Sequence, residues 1–312
     1  MSRVIVVSKQ ANAHQKGMPL NAEVTGTAAP QAYEASSREL RQPADVSEIG
    51  VYDVAILSDI GNERENNEDF VGYSYQAPAS IVMAIADGVG GFEGGELASQ
   101  IAVESTISTF REQSPNVPVE KRLYRAAQQA NIEIYDKAIV VTELRSMSTT
   151  LTAIALEGGL LHAAHVGDSR LYLIRDGQLT QITKDHTVAA ERVRKKLLSP
   201  KKARHHPDHG ILTRSLGREL IAAIDRITLP VQPGDTLILC TDGLHNILGE
   251  QELVELCEEP SAQTLCGRLI DEANSQGTYD NLTVAVCRIV GPLPKQEESK
   301  NWASRLRAWI RD

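Results

Sequence analysis

The stretch "TTLTAIALEGGLLHAAHVGDSRLYLIRDGQLTQIT", Thr149 to Thr183, decides the fold reading. Its apolar runs are strand-length, and two glycine-bearing pairs interrupt them, Gly158-Gly159 and Asp176-Gly177. Such pairs supply the positive φ of tight hairpin turns. A parallel crossover needs a dozen or more connecting residues, and there is no room for one here. This portion is therefore expected to be an antiparallel meander. Upstream, "SIVMAIAD" (Ser80–Asp87) is another short apolar strand.

Helical periods flank these strands. One helix is expected over about 95–111, with Val103, Ile107 and Phe110 on one stripe. A second spans about 119–138 and aligns Leu123, Ala127, Ala130 and Ile134. A third, about 261–275, opens at the N-cap candidate Ser261 and carries Leu265, Leu269 and Ala273. Helices set between antiparallel blocks point to stacked sheets with helices outside, an α+β arrangement. No internal repeat is visible.

Bulk composition narrows the class. The 312 residues are 42% hydrophobic with a formal charge of −9, which offers no overall basic field for nucleic acid. No run approaches the ~18 apolar residues of a membrane span. "MSRVIVVSKQ" is too short in apolar residues for a signal-peptide core. Cys240, Cys257, Cys266 and Cys287 lack CxxC spacing and read as free thiols. The expected location is the cytoplasm. Residues 1–48, rich in Ala, Gln, Ser and Pro, are expected to be a disordered leader, 49–291 one domain, and 292–312 a linker and tail.

Acidic residues recur where apolar runs end. In "VMAIADGVGGFEGG" (Val82–Gly95), Asp87 precedes Gly88, Gly90, Gly91, Gly94 and Gly95, more glycines than one turn requires. Such a density indicates close approach of the main chain to something. Asp242 ends "DTLILCTDGL", Asp280 sits in "SQGTYDNLTVAVCRI", Asp168 ends "HAAHVGDSR", and "SDIGNERENNEDF" holds Arg64, Glu68 and Asp69. Aligned strands would bring these carboxylates together, and like charges crowd at a cost unless cations or protons neutralise them. Mg²⁺ and Mn²⁺, which prefer oxygen ligands, are the expected partners.

"RENNED", "ADGVGG", "STTLTA", "HVGDSRLYL", "LTRSLG", "LCTDGL" and "YDNLTV" occur in one order over about residues 50–290. In this the chain resembles the metal-dependent type 2C (PPM) serine/threonine protein phosphatases of bacterial type. The resemblance implies a four-layer α/β/β/α sandwich of two antiparallel sheets flanked by helices. It also implies two Mn²⁺ or Mg²⁺ ions that activate a water to attack the phosphorus of phosphoserine or phosphothreonine. By position, Asp87 matches the bridging ligand and Gly88 a backbone ligand, Glu68 completes one metal site, and Asp242 and Asp280 hold the other. Asp69 supports the ligands, Asp168 joins Asp242 in a third, weaker site, and Arg64 matches the phosphate-gripping residue. The partners implied are Ser/Thr-phosphorylated proteins and a cognate Ser/Thr kinase.

One departure stands out. Many eukaryotic relatives carry a histidine after this Asp-Gly pair, and here the residue is Val89. The general acid is therefore unassigned, with His165 and His186 available in sequence. Between Glu191 and His205 lie seven Lys or Arg, the position of the family's variable flap, a docking element for an acidic phosphopeptide or else a solvated surface. His205, His206 and His209 read as part of that flap. The tail "KNWASRLRAWIRD" aligns Trp302, Leu306, Trp309 and Ile310 on one helical stripe, for a partner groove, a membrane surface or the core itself. Two rival readings stay open: a phosphoprotein-binding pseudophosphatase, and a phosphatase dedicated to one regulator in a partner-switching pathway.

Overall fold

The structure is a computed structural model and describes residues 3–7, 51–76, 80–89, 93–203 and 206–293. One sheet runs in the order β1 (Arg3–Val7), β3 (Asp69–Gln76), β4 (Ser80–Val89), β6 (Leu151–Glu157), β7 (Leu160–Val166), β10 (Asp225–Pro230), and the short β5 (Ser148–Thr149) pairs with β4. The other runs β2 (Tyr52–Asp59), β12 (Leu282–Ile289), β11 (Thr236–Cys240), β8 (Arg170–Arg175), β9 (Gln178–Gln181). Every strand pairing is antiparallel.

Period-two alternation sorts side chains between layers. On β4, Ile81, Met83 and Ile85 join Val54, Ile56, Leu171, Leu237, Leu239 and Ala285 in the core between the sheets. Val82, Ala84 and Ala86 face the other way, onto α1 (Glu93–Glu112) and α2 (Val119–Val140). The small residues Ala153, Ala155 and Ala164 continue that outer face and let the helices bearing Ile107, Leu123 and Ile134 lie close to the sheet. Beyond the second sheet, α5 (Asp242–His245), α6 (Glu250–Leu256) and α7 (Ala262–Ser275) cover Tyr172, Ile238, Val284 and Val286. The four layers are those expected. So are the three helices read from sequence, including the Ser261 cap, whose hydroxyl accepts from the Thr264 amide.

Two expectations are corrected. Thr149–Thr183 is not one meander. β6–β7 and β8–β9 are hairpins as their turns indicate, but they belong to different sheets. The chain changes sheet at Gly167-Asp168-Ser169, where Gly167 has φ 103 and a Cβ would stand 2.6 Å from Thr150 Cβ. Gly167-Asp168-Ser169 breaks the apolar run, but such a cluster reads equally well as a turn within one sheet, so it does not show that the chain changes sheet. The leader reading also fails at its start: Arg3–Val7 pairs along the open edge of β3, Arg3 opposite Tyr75 and Val7 opposite Val71. Its β-branched run suits an edge strand, but the polar composition of residues 8–48 masks that signal. Residues 8–50, the rest of the expected leader, and 294–312, with the tail stripe, lie outside the described residues. Among the described residues no helix is long and apolar enough to cross a membrane.

The sheet-end loops are pinned by polar groups. Thr149 and Leu216 exchange backbone hydrogen bonds, which ties "STTLTA" to "LTRSLG". Buried Asn131 of α2 accepts from the Gly217 amide at 2.9 Å and donates to the Glu219 and Leu220 carbonyls. Asn131→Ala strands those groups and is expected to cost about 2–3 kcal/mol of stability, read by urea denaturation.

Candidate metal centre

The strand registers carry the acids to one end of both sheets. Asp69 opens β3 and lies directly opposite Asp87, near the end of β4. Asp242 follows β11, Asp280 precedes β12, and Asp168 sits at the crossing from β7 to β8. The electrostatics show how near they come. Asp87 has its carboxyl pushed well above the usual range, first by loss of water and then by Asp69, Asp242, Asp168 and Asp280. Asp168 is raised by burial and Asp242, and Asp242 is pushed up to about 6 by burial and Asp280. Glu68 is raised too, by burial foremost, against the pull of Arg64.

Asp69 is the most enclosed. It is 2% exposed, and its Oδ2 accepts from the Thr241 and Thr283 hydroxyls, each at 2.8 Å. Burial still raises its carboxyl to about 8. Asp69 Oδ1 and Asp242 Oδ1 are buried without any hydrogen-bond partner. At the rim, Arg64 is half exposed and holds both oxygens of Asp280, at 2.8 and 2.9 Å.

Glycines set the backbone around these side chains. A Cβ on Gly88 would collide with the Gly95 carbonyl, and one on Gly95 would lie 2.6 Å from Glu68 Oε1. The expectation of close approach therefore holds, with main chain and the Glu68 carboxylate as its visible partners. Gly90 and Gly91 lie outside the described residues. Gly61 and Gly243 close on the 280–281 main chain from two sides, against the Asp280 and Asn281 carbonyls.

Residues not singled out from sequence complete the frame. Asn281 donates to the Ile60 and Asn66 carbonyls and accepts from the Glu68 amide, all at 2.9 Å, so one side chain shapes the loop that presents Glu68. The Thr150 hydroxyl takes the Asp87 amide, and the Thr149 hydroxyl donates to the Asp87 carbonyl. Each sits beside a noted acid or inside a quoted motif, and that adjacency was their only signal. The two histidines held as acid candidates are occupied elsewhere. His165 bonds Thr152 and the Lys184 carbonyl, with burial lowering it to about 4. His186 accepts from the Gly167 amide and meets Asp225. The cysteines are unsuited to nucleophilic work, since burial raises Cys240 and Cys257 to about 12 and Cys266 and Cys287 further still.

Oxygen donors, raised carboxyls and two buried carboxylate oxygens without partners are the donor set of a hard divalent cation. Among the described residues no three acidic, histidine or cysteine side chains close into a complete cage. Mg²⁺-like ions do not require one, since they keep several waters and use few carboxylates. The residues fit the group.

The protein phosphatase 2C family model matches residues 62–276, a span that holds Arg64, Glu68, Asp69, Asp87, Asp168 and Asp242 and ends just before Asp280 and Asn281. The chain belongs to the protein phosphatase 2C family. It is 36% identical over 237 residues to the serine/threonine protein phosphatase PstP of Mycobacterium tuberculosis, covering 76% of this chain but 45% of that one. To the serine/threonine phosphatase stp of Listeria monocytogenes it is 36% identical over 233 residues, 73% of this chain and 92% of the relative. The PstP catalytic domain in complex with two manganese ions superposes with a TM-score of 0.68 at 35% identity, over 77% of this chain and 99% of that domain. The family's two antiparallel sheets flanked by helices are those found here.

The raised carboxyls make a sign prediction. Burial raises the Asp69 carboxyl to about 8, against about 3.9 for a free aspartate, so between those values this group holds a proton in the folded chain that it has lost in the unfolded one. Asp87, Asp168 and Asp242 act in the same direction. His165 and His245, lowered by burial to about 4 and about 3, pull the other way below about 6.5, so it is from about 6.5 to 8 that stability of the chelator-treated protein falls as pH rises. Thermal melts in EDTA at pH 6.5 and 8 are expected to show the higher midpoint at pH 6.5.

Proposed function

We propose that this chain hydrolyses phosphoserine and phosphothreonine in proteins, using Mn²⁺ or Mg²⁺ at the strand-end carboxylates and opposing a Ser/Thr kinase in the cytoplasm. The observation that carries this is the convergence of Asp87, Asp168, Asp242 and Asp280, where burial and mutual repulsion keep carboxyls raised although Arg64 and Arg170 pull on Asp242 and Asp168 from the edges. A phosphoprotein-binding module has no use for so costly a cluster. Asp87 with the Gly88 carbonyl and Glu68 would hold one ion, and Asp87, Asp242 and Asp280 the other. Asp168 with Asp242 would form a third site. When bound, the cations supply a reactive water at neutral pH and neutralise phosphate charge.

The chain's own residues do the rest. Asp69 is braced by Thr241 and Thr283 and stiffens the floor beneath Asp87, while Asn281 fixes the loop presenting Glu68. Arg64 offers a planar fork for two phosphate oxygens. Its present partner is Asp280, which cannot serve the guanidinium and a cation fully at once. Arg64, tethered at the rim by Asp280, would turn its free N–H groups toward a phosphate.

Manganese-dependent turnover of p-nitrophenyl phosphate and of generic phosphothreonine peptides, lost in EDTA, is expected. Asp87→Asn lowers it by about 10³-fold or more. Asn281→Ala weakens manganese binding about 10- to 100-fold by calorimetry, because the group it removes holds a ligand loop and not an ion. Phosphoprotein binding without turnover would overturn the reading in favour of a pseudophosphatase. Turnover confined to one protein would favour a dedicated regulator phosphatase.

A further inference from the structure

Hydrolysis of an alkyl phosphate needs a proton for the departing oxygen, because an alkoxide is a poor leaving group. Val89 cannot give one. The described histidines can be sorted by what their nitrogens already do. His162 bonds Thr228 at Nδ1 and has Glu120, Glu157 and Arg122, not the strand-end acids, as its charged neighbours; His165 is bonded at both nitrogens, and His186 is engaged by Gly167 and Asp225. His245 spends Nε2 on the Asp168 carbonyl, and its Nδ1 is sealed from solvent. His206 meets Arg192 at Nε2 and the Asp208 amide at Nδ1.

His209 is different. Its Nδ1 donates to the His206 carbonyl at 2.9 Å, which fixes the ring's orientation, and its Nε2 has no partner among the described residues. The ring lines a cavity of about 670 Å³ between the flap helices α3 (Val188–Arg194) and α4 (Pro200–Ala203) on one side and Asp168 and Asp242 on the other. His209 and Arg64 both pull the Asp242 carboxyl down, so both groups bear on the same acid. The loop carrying His209 is secured at its far end, where the Ile211 carbonyl accepts the Val188 amide and the Thr213 amide binds the His186 carbonyl. Asp242 thus feels both the residue placed to grip a phosphate and the His209 ring.

We propose that His209, held over the acidic floor by the loop after α4, gives its Nε2 proton to the departing serine or threonine oxygen. The inference rests on the phosphatase reading above. Protonated, the ring donates from both nitrogens, one to His206 and one to substrate. The bond from phosphorus to the side-chain oxygen breaks with its electron pair going to that oxygen, which takes the His209 proton. The attacking water bonds phosphorus and gives up one proton, and the imidazole regains its own from solvent. The flap would then carry chemistry as well as any peptide contact.

The test compares the manganese-loaded full chain with His209→Gln, which keeps an amide donor for His206, and with His209→Ala. The substrates are a phosphothreonine peptide and aryl phosphates of graded leaving-group acidity, p-nitrophenyl phosphate among them. Both variants are expected to lose about 10²-fold in kcat on the peptide and about threefold or less on p-nitrophenyl phosphate, whose leaving group needs no proton. The plot of log kcat against leaving-group pKa steepens, while manganese affinity by calorimetry and the melting midpoint stay at wild-type values. Equal losses on all substrates, or no loss on any, would overturn the proposal. A wild-type chain that turns over no aryl phosphate fails earlier, at the phosphatase reading itself, and takes this proposal with it.

Discussion

Mutual repulsion of carboxylates is the constraint around which this molecule is built. Asp87, Asp168, Asp242 and Asp280 end up together because four strand termini of two sheets finish at one edge. Nothing in the hydrophobic effect asks for that, and the core would be as well packed with asparagines at these positions. Folding must therefore bear an electrostatic cost localised at one end of the sandwich, and the cost falls with protonation or with cations. A site of this kind is most unfavourable when empty and charged. That is what makes it bind.

Holding such groups still takes a rigid frame, and the frame is largely backbone. Gly61 and Gly243 grip the 280–281 main chain, and Gly88 packs on Gly95 under the Glu68 carboxylate. Uncharged side chains finish the work: Asn281 for the Glu68 loop, Thr149 and Thr150 for Asp87, and Thr241 and Thr283 for Asp69. Hydroxyls and amides suit this position because they orient a carboxylate without neutralising it. A lysine there would relieve the repulsion and remove the reason to bind a cation.

The features legible in the sequence divide along the same line. Helices and hairpins were legible because 3.6- and 2-residue periods and Gly-bearing turns are local signals. The acids were legible because each borders an apolar run. The change of sheet at Gly167 was not, since alternation is the same whichever sheet receives it. The edge pairing of Arg3–Val7 was hidden by the polar residues C-terminal to it, and edge strands need no turn to announce them. Asn281 and the bracing threonines stood beside noted acids, but an amide or hydroxyl reveals its role only when its partners, some 200 residues away, are in place.

The flap lies outside this economy. It packs no core layer, and its α3 and α4 are single short helices held by an arginine–aspartate pair, Arg192 with Asp208, and by backbone bonds around residues 187–213. A segment so weakly coupled to the sandwich can change sequence without disturbing the carboxylate floor, whereas Val89 sits inside the strand that positions Asp87. Moving proton delivery from the strand to the flap would separate two demands that many relatives place on adjacent residues: holding the cations and protonating the leaving group. The floor would then answer for the cations, and the flap for the proton.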